Sequence, residues 1–124
     1  MRTRAKICGI TRIQDIKAVV DAGADAIGFV FFPPSPRSVN KAEAIALVQA
    51  VPTYVQVVGL FVNATADEIA EILKDVHLDI LQFHGDESPE QCQQIANHVR
   101  RRWYKAIQVK PDATSAEMIE TIQQ

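Results

Sequence analysis

The chain has 124 residues, enough for one domain that buries its own apolar core. Its hydrophobic fraction of 48% and charged fraction of 23% are ordinary for a globular protein. The 13 basic and 15 acidic residues leave a net charge of −2, too balanced to imply nucleic acid or an acidic membrane surface as partner.

The amino terminus carries charges but no apolar h-region, so no signal peptide is expected. No apolar run approaches the ~20 residues that cross a bilayer. The two cysteines, Cys8 and Cys92, form neither a C-x-x-C pair nor a zinc spacing. A reducing cytoplasm is the expected compartment.

In chain order, the first apolar run is Ala5 to Cys8. Gly9 and a candidate capping box, Thr11 with Gln14, follow it. Ile13, Ile16, Val19 and Val20 then fall on one helical face, and Gly23 supplies the stop. The second strand reads Ala26 to Phe32. After it comes the stiff loop "PPSPRS", residues 33–38, and a capping box at Asn40 and Glu43. The third run, Tyr54 to Val62, is nearly continuous in apolar character, as strands buried on both faces are. Its box is Thr65 with Glu68, and Ile69, Ile72 and Leu73 share one face of the helix. The fourth unit pairs Ile80 to His84 with a box at Ser88 and Gln91, and Pro89 holds the favoured first helical position. The fifth pairs Trp103 to Val109 with Thr114 and Glu117. The basic run Arg100-Arg101-Arg102 follows the fourth helix, where cations favour the negative end of the helix dipole.

Five strand–helix units predict an α/β fold with a parallel sheet and right-handed crossovers. No linker or low-complexity segment divides residues 1–124, which read as a single domain. Two architectures fit. On length alone, an open flavodoxin-like doubly wound sheet suits five units, since an eight-unit barrel usually takes ~200 residues or more. Both put the active site at the carboxyl ends of the strands.

Those ends carry Cys8, Arg37 in the loop beyond the second strand, Asn63, then Gln82, His84 and Asp86, and Lys110. No Gly-rich nucleotide motif follows any strand, and no His and carboxylate group has metal spacing. Cys8 stands ahead of a helix amino end, whose partial positive charge favours a thiolate able to take a proton or attack an electrophile. A small buried apolar thiol is the competing reading. Arg37 can fork onto a carboxylate or phosphate, or be a solvated loop charge. His84 can meet a ligand, or cap its own loop. A nucleophile–base pairing of Cys8 with His84 is a further option, and it requires hydrogen-bond reach. Cys92 lies inside a helical pattern and reads as structural. His77 and His98 read as dipole partners near helix ends, and Asp86 and Glu87 as acids preceding a helix start.

"KICGIT", "GADAIGFVFFPPSPRSV", "VGLFVN" and "LQFHGDE" resemble the signature segments of the phosphoribosylanthranilate isomerase family, in its order and spacing. The resemblance runs from Lys6 through the fifth strand, "WYKAIQV". It implies a (βα)8 TIM barrel of which about five units are present here. It implies an Amadori rearrangement in tryptophan biosynthesis, with phosphoribosylanthranilate as the small-molecule substrate and no cofactor or metal. The matching residues imply Cys8 as general base at C2′, Arg37 as ligand of the anthranilate carboxylate, and His84 as a lining residue. The family's general acid ends its sixth strand and its phosphate site follows strands seven and eight. Neither matches a residue of this chain, which stops in its fifth helix as a truncated barrel would. Activity of the isolated chain is therefore an open expectation, beside a non-catalytic fragment. Two open sheet edges would favour self-association.

Overall fold

Chain order and sheet order coincide. The computed structural model describes residues 5–106. It holds β1 (Lys6–Cys8), α1 (Ile13–Asp21), β2 (Ala26–Val30), α2 (Lys41–Gln49), β3 (Gln56–Phe61), α3 (Ala66–Leu73), β4 (Ile80–Phe83), α4 (Pro89–Val99) and β5 (Arg102–Lys105). All four strand pairings are parallel, in the order β1-β2-β3-β4-β5. A flavodoxin-like sheet reverses direction after its first strand, giving 2-1-3-4-5. No reversal occurs here, so the open doubly wound sheet is ruled out and length was the wrong arbiter.

Curvature points the same way. Laid flat, β1 and β5 would lie roughly 19 Å apart, at about 4.8 Å per strand. Yet Lys6 Nζ of β1 lies 2.6 Å from the Tyr104 hydroxyl of β5 and 5.1 Å from its ring centroid. The sheet has curled far enough for its two outer strands to touch across the interior, as a barrel wall does.

Alternation along the strands divides the residues between two faces. Ile27, Phe29, Val57, Phe61, Leu81 and Phe83 face the helices and are fully or almost fully buried. They pack with Ile16, Ala44, Leu47, Ile69 and Cys92 from the helices. Phe31 stacks on Phe61 with centroids 5.3 Å apart, and Phe83 meets Trp103 edge to face at 6.0 Å. Gly59 leaves room for this layer, since a Cβ there would stand 2.6 Å from Leu78 Cδ1. The other face presents Lys6, Cys8, Gly28, Val58, Ile80, Gln82 and Tyr104.

The helices start much as the sequence predicts, with one exception. Asn40 with Glu43, Thr65 with Glu68, and Ser88 with Gln91 each form a reciprocal capping box. Thr11 does not cap α1. The N-cap is Arg12, without a side-chain cap, and its guanidinium instead grips Asp15 at 3.0 and 3.1 Å. α1 ends in a Schellman motif: Gly23 sits at φ +95°, its N–H bonds Val20 O, and Ala24 N–H bonds Val19 O. α4 ends differently. Arg100 takes the left-handed conformation at φ 58°, and the Arg101 side chain donates to Leu78, Val99 and Arg100 carbonyls. The basic run thus serves the helix end through one residue, while Arg102 already belongs to β5. The first four strands are shorter than their apolar runs, and the fifth run, Trp103 to Val109, extends beyond the described residues. Thr114, Glu117, Lys110 and the fifth helix lie outside the described residues.

Two aspartates repeat a device at the opposite, amino-terminal end of the sheet. Asp25, just before β2, accepts from Ala5 N–H at 2.8 Å, and Asp79, just before β4, accepts from Val57 N–H at 2.8 Å. Each ties an even strand to the odd strand before it. His77 also bonds Asp79, with Nε2 2.7 Å from Oδ1, so it is an aspartate partner and not a helix-dipole partner. His98 does lie in the last turn of α4.

Candidate active site

Cys8 closes β1 on the interior face and is half-buried. Its partner across the sheet is Gly28. A Cβ on Gly28 would stand 2.9 Å from Cys8 Sγ, so the absence of a side chain there makes room for the thiol. The chain then turns at Gly9, which sits at φ +87° and donates its N–H to Gly28 O at 2.9 Å. This positive φ suits glycine, and the missing Cβ matters a second time. A Cβ on Gly9 would lie 2.8 Å from Arg37 Nη1 and 2.9 Å from Arg37 Cδ. Arg37 therefore lies flat against the backbone immediately after Cys8.

The proline-rich loop supplies that placement. Ser35 N–H bonds Phe32 O and Ser38 N–H bonds Ser35 O, giving two consecutive turns. Ser35 Oγ accepts from Arg37 N–H at 3.2 Å, and Val39 N–H returns to Val30 O at 2.8 Å. The loop is folded back on the end of β2, and Arg37 is carried over β1. Two of the predicted residues, Cys8 and Arg37, are thus brought together.

His84 stands at the end of β4, exposed, its N–H bonded to Phe61 O at 2.9 Å. Two strands separate β1 from β4 in the sheet. No hydrogen bond joins the His84 ring to the Cys8 thiol among the described residues, which removes the nucleophile–base pairing. His84 is instead a second wall of the same rim.

Beneath the rim lies a polar layer that the strand-end inventory missed in part. Gln82 is 7% exposed, and its Oε1 accepts from the Tyr104 hydroxyl at 2.8 Å and from Lys6 Nζ. Lys6 is two residues before Cys8 and Gln82 two before His84, so each sits one step below a rim residue on the same face. That period-two offset was the available signal. Cys92 is fully buried in α4, and burial first, with the nearby Glu87 charge second, pushes its thiol up to about 11. Asp86 is exposed, and its N–H donates to Asn63 Oδ1 at 2.8 Å. Glu87 is different: its side chain is 5% exposed and ion-paired to Lys105 at 2.8 Å. Among the described residues no group of three or more His, Cys, Asp and Glu side chains could hold a metal.

Residues 5–124 match the sequence model of N-(5'-phosphoribosyl)anthranilate isomerase. The chain belongs to the phosphoribosylanthranilate isomerase family. It is 67% identical over 123 residues to the family's enzyme from Acinetobacter calcoaceticus, covering 99% of this chain and 58% of that one. With the Ralstonia nicotianae enzyme it shares 49% over 119 residues, 96% of this chain and 52% of the relative. The chain therefore spans little more than half the length of the isomerases it matches.

Solved isomerases agree in fold. The Thermotoga maritima crystal structure superposes with TM-score 0.84 at 37% identity, over 96% of this chain and 56% of that one. A second isomerase structure, also at TM-score 0.84 and 37% identity, contains reduced 1-(o-carboxyphenylamino)-1-deoxyribulose 5-phosphate and is covered to 59%. The five parallel strands and four helices are accordingly part of a (βα)8 barrel wall. Among the described residues no helix is long and apolar enough to cross a membrane.

Proposed function

We propose that residues 1–124 form one βα-repeat domain carrying the amino-terminal share of a phosphoribosylanthranilate isomerase site. The observation that supports this best is Arg37 lying on Gly9, directly beside Cys8. A fixed planar cation next to a half-buried thiol suits a substrate with a carboxylate at one end and an acidic C–H a short distance away. On this reading Arg37 pairs with the anthranilate carboxylate in a bidentate fork. Cys8 takes the C2′ proton of the ring-opened imine. The electron pair left behind forms the enolamine, which becomes the aminoketose when C1′ gains a proton. His84 lines the opposite side of the rim. Tryptophan biosynthesis in a reducing cytoplasm is the setting this chemistry implies, and no cofactor is needed for it.

Whole-barrel activity is a separate part of the proposal. The chain would supply the base and the carboxylate site, and a general acid and phosphate site would come from elsewhere. Losing an acid–base partner costs typically 10²–10⁴ in rate. The test is an isomerase assay on the 124-residue chain with fresh phosphoribosylanthranilate, following loss of its fluorescence. The expected result is no turnover alone, and turnover when the carboxyl-terminal part of a related barrel is added. Cys8→Ala should abolish that restored activity. Restored activity that survives Cys8→Ala would refute the assignment of the base.

A further inference from the structure

Glu87 is a buried carboxylate at the chemical end of the sheet that the proposed reaction does not use. Its Oε2 accepts from Asn63 N–H at 2.7 Å. Its Oε1 accepts from Gly85 N–H at 2.9 Å and from Lys105 Nζ at 2.8 Å. Lys105 Nζ also donates to the Gly85 carbonyl. Asn63 belongs to the loop after β3, Gly85 to the turn after β4, and Lys105 to the end of β5. One side chain therefore joins three successive strand ends, all on the side of the sheet where barrel enzymes place their chemistry.

The same loops are held at other points. Asn63 takes the left-handed conformation at φ 53°, and its Oδ1 accepts from Asp86 N–H at 2.8 Å. A Cβ on Gly85 would stand 2.6 Å from that Oδ1, so the two loops are in tight contact. His84, the rim residue, is the last residue before this turn. An acid that merely favoured a helix start would face solvent near the first turn of α4. Glu87 instead points inward, and its carboxylate bonds Asn63, Gly85 and Lys105.

We propose that Glu87 is a positioning residue, whose carboxylate locks the loops after β3 and β4 to the end of β5 and so sets where His84 stands at the rim. The proposal rests on the isomerase reading for the identity of the rim, and on the hydrogen bonds alone for the lock. Glu87→Gln is the informative change. A carboxamide keeps the shape but replaces one acceptor by a donor, which opposes Asn63 N–H, Gly85 N–H or the Lys105 ammonium.

The experiment is NMR on the 124-residue chain, free and with anthranilate as the probe, for the parent, Glu87→Gln and Arg37→Ala. In Glu87→Gln the Asn63 and Gly85 amides should exchange about tenfold faster or more, while the core Leu81 amide stays protected. The His84 ring resonances should shift without ligand, and anthranilate should perturb them at least severalfold less than in the parent. Arg37→Ala should abolish anthranilate binding and leave those two amides and the free His84 signals unchanged. Unchanged exchange and unchanged His84 signals in Glu87→Gln would overturn the positioning role. If the parent shows no response to anthranilate while the Glu87→Gln changes in the free chain appear, the lock stands and the isomerase reading fails. Should Glu87→Gln not fold, the Glu87→Gln, Lys105→Met pair removes the orphaned cation and is read by the same signals.

Discussion

Residue by residue, the rim was only partly legible. Cys8, Arg37 and His84 could be placed at the carboxyl ends of the strands because each ends a strand or stands in the loop after one. Gly28 could not be, because its value lies in the side chain it lacks opposite Cys8, and pairing register is not written in one strand. Gly28→Ala is expected to displace the Cys8 side chain and cost about 1–3 kcal/mol, read as a lower urea midpoint. The two thiols should separate cleanly. Cys8 is half-buried and Cys92 fully buried with its pKa at about 11, so a thiol reagent near neutral pH should titrate one cysteine in the folded chain and two in denaturant. Two rapidly reacting thiols would contradict this packing. Glu87 was read as an ordinary helix-start acid because only the fold brings Lys105 and Asn63 to it. Burial opposes its charge, but Lys105 and the backbone N–H groups outweigh that and hold its carboxyl below the ordinary range. A lowered folded-state pKa gives stability that is complete above the unfolded value, about 4.3, and lost as pH falls through the folded one. Melting temperature should therefore drop on acidification below about pH 4.5 in the parent and fall less steeply in Glu87→Gln. At pH 7 that variant should be less stable by about 3 kcal/mol.

At the scale of elements, cap chemistry carried the reading furthest. Three of the predicted boxes form, and the fourth within the described residues fails for a local reason. The turn at Gly9 carries the chain one residue further than the Thr11 and Gln14 spacing assumes, and the Arg12–Asp15 pair occupies the helix start. Ser88→Ala should cost about 1 kcal/mol through loss of its bond to Gln91 N–H. Thr11→Ala should stay within about 0.5 kcal/mol, since Thr11 is exposed and does not cap. Equal urea midpoints for the two variants would contradict the cap assignment. Strand lengths were read too long because an apolar run continues into loops whose side chains are still buried, as Val55 shows. Apolar character reports burial, whereas a strand ends where its ladder of hydrogen bonds ends.

For the whole molecule, five strands and four helices were legible, and their arrangement was legible only through the family resemblance. Length favoured an open sheet, and the sequence resemblance favoured a barrel; strand order and the Lys6 to Tyr104 contact agree with the barrel. β1 pairs only with β2, leaving its other edge unpaired among the described residues. An unpaired edge recruits other chains. Sedimentation at increasing concentration should show self-association of the 124-residue chain, and a monomer throughout would count against a reactive edge. The sequential strand order also bears on how the protein is made. Each strand from β2 to β5 pairs with the one synthesised just before it, and Asp25 and Asp79 fasten two of these pairs as soon as both members exist. At about 5–20 residues per second, a nascent strand waits a few seconds for its successor, far longer than helix and hairpin formation require. The five strands can thus be laid down from the first onward at the ribosome, and the outer edge of β1 is left without a local partner among the described residues.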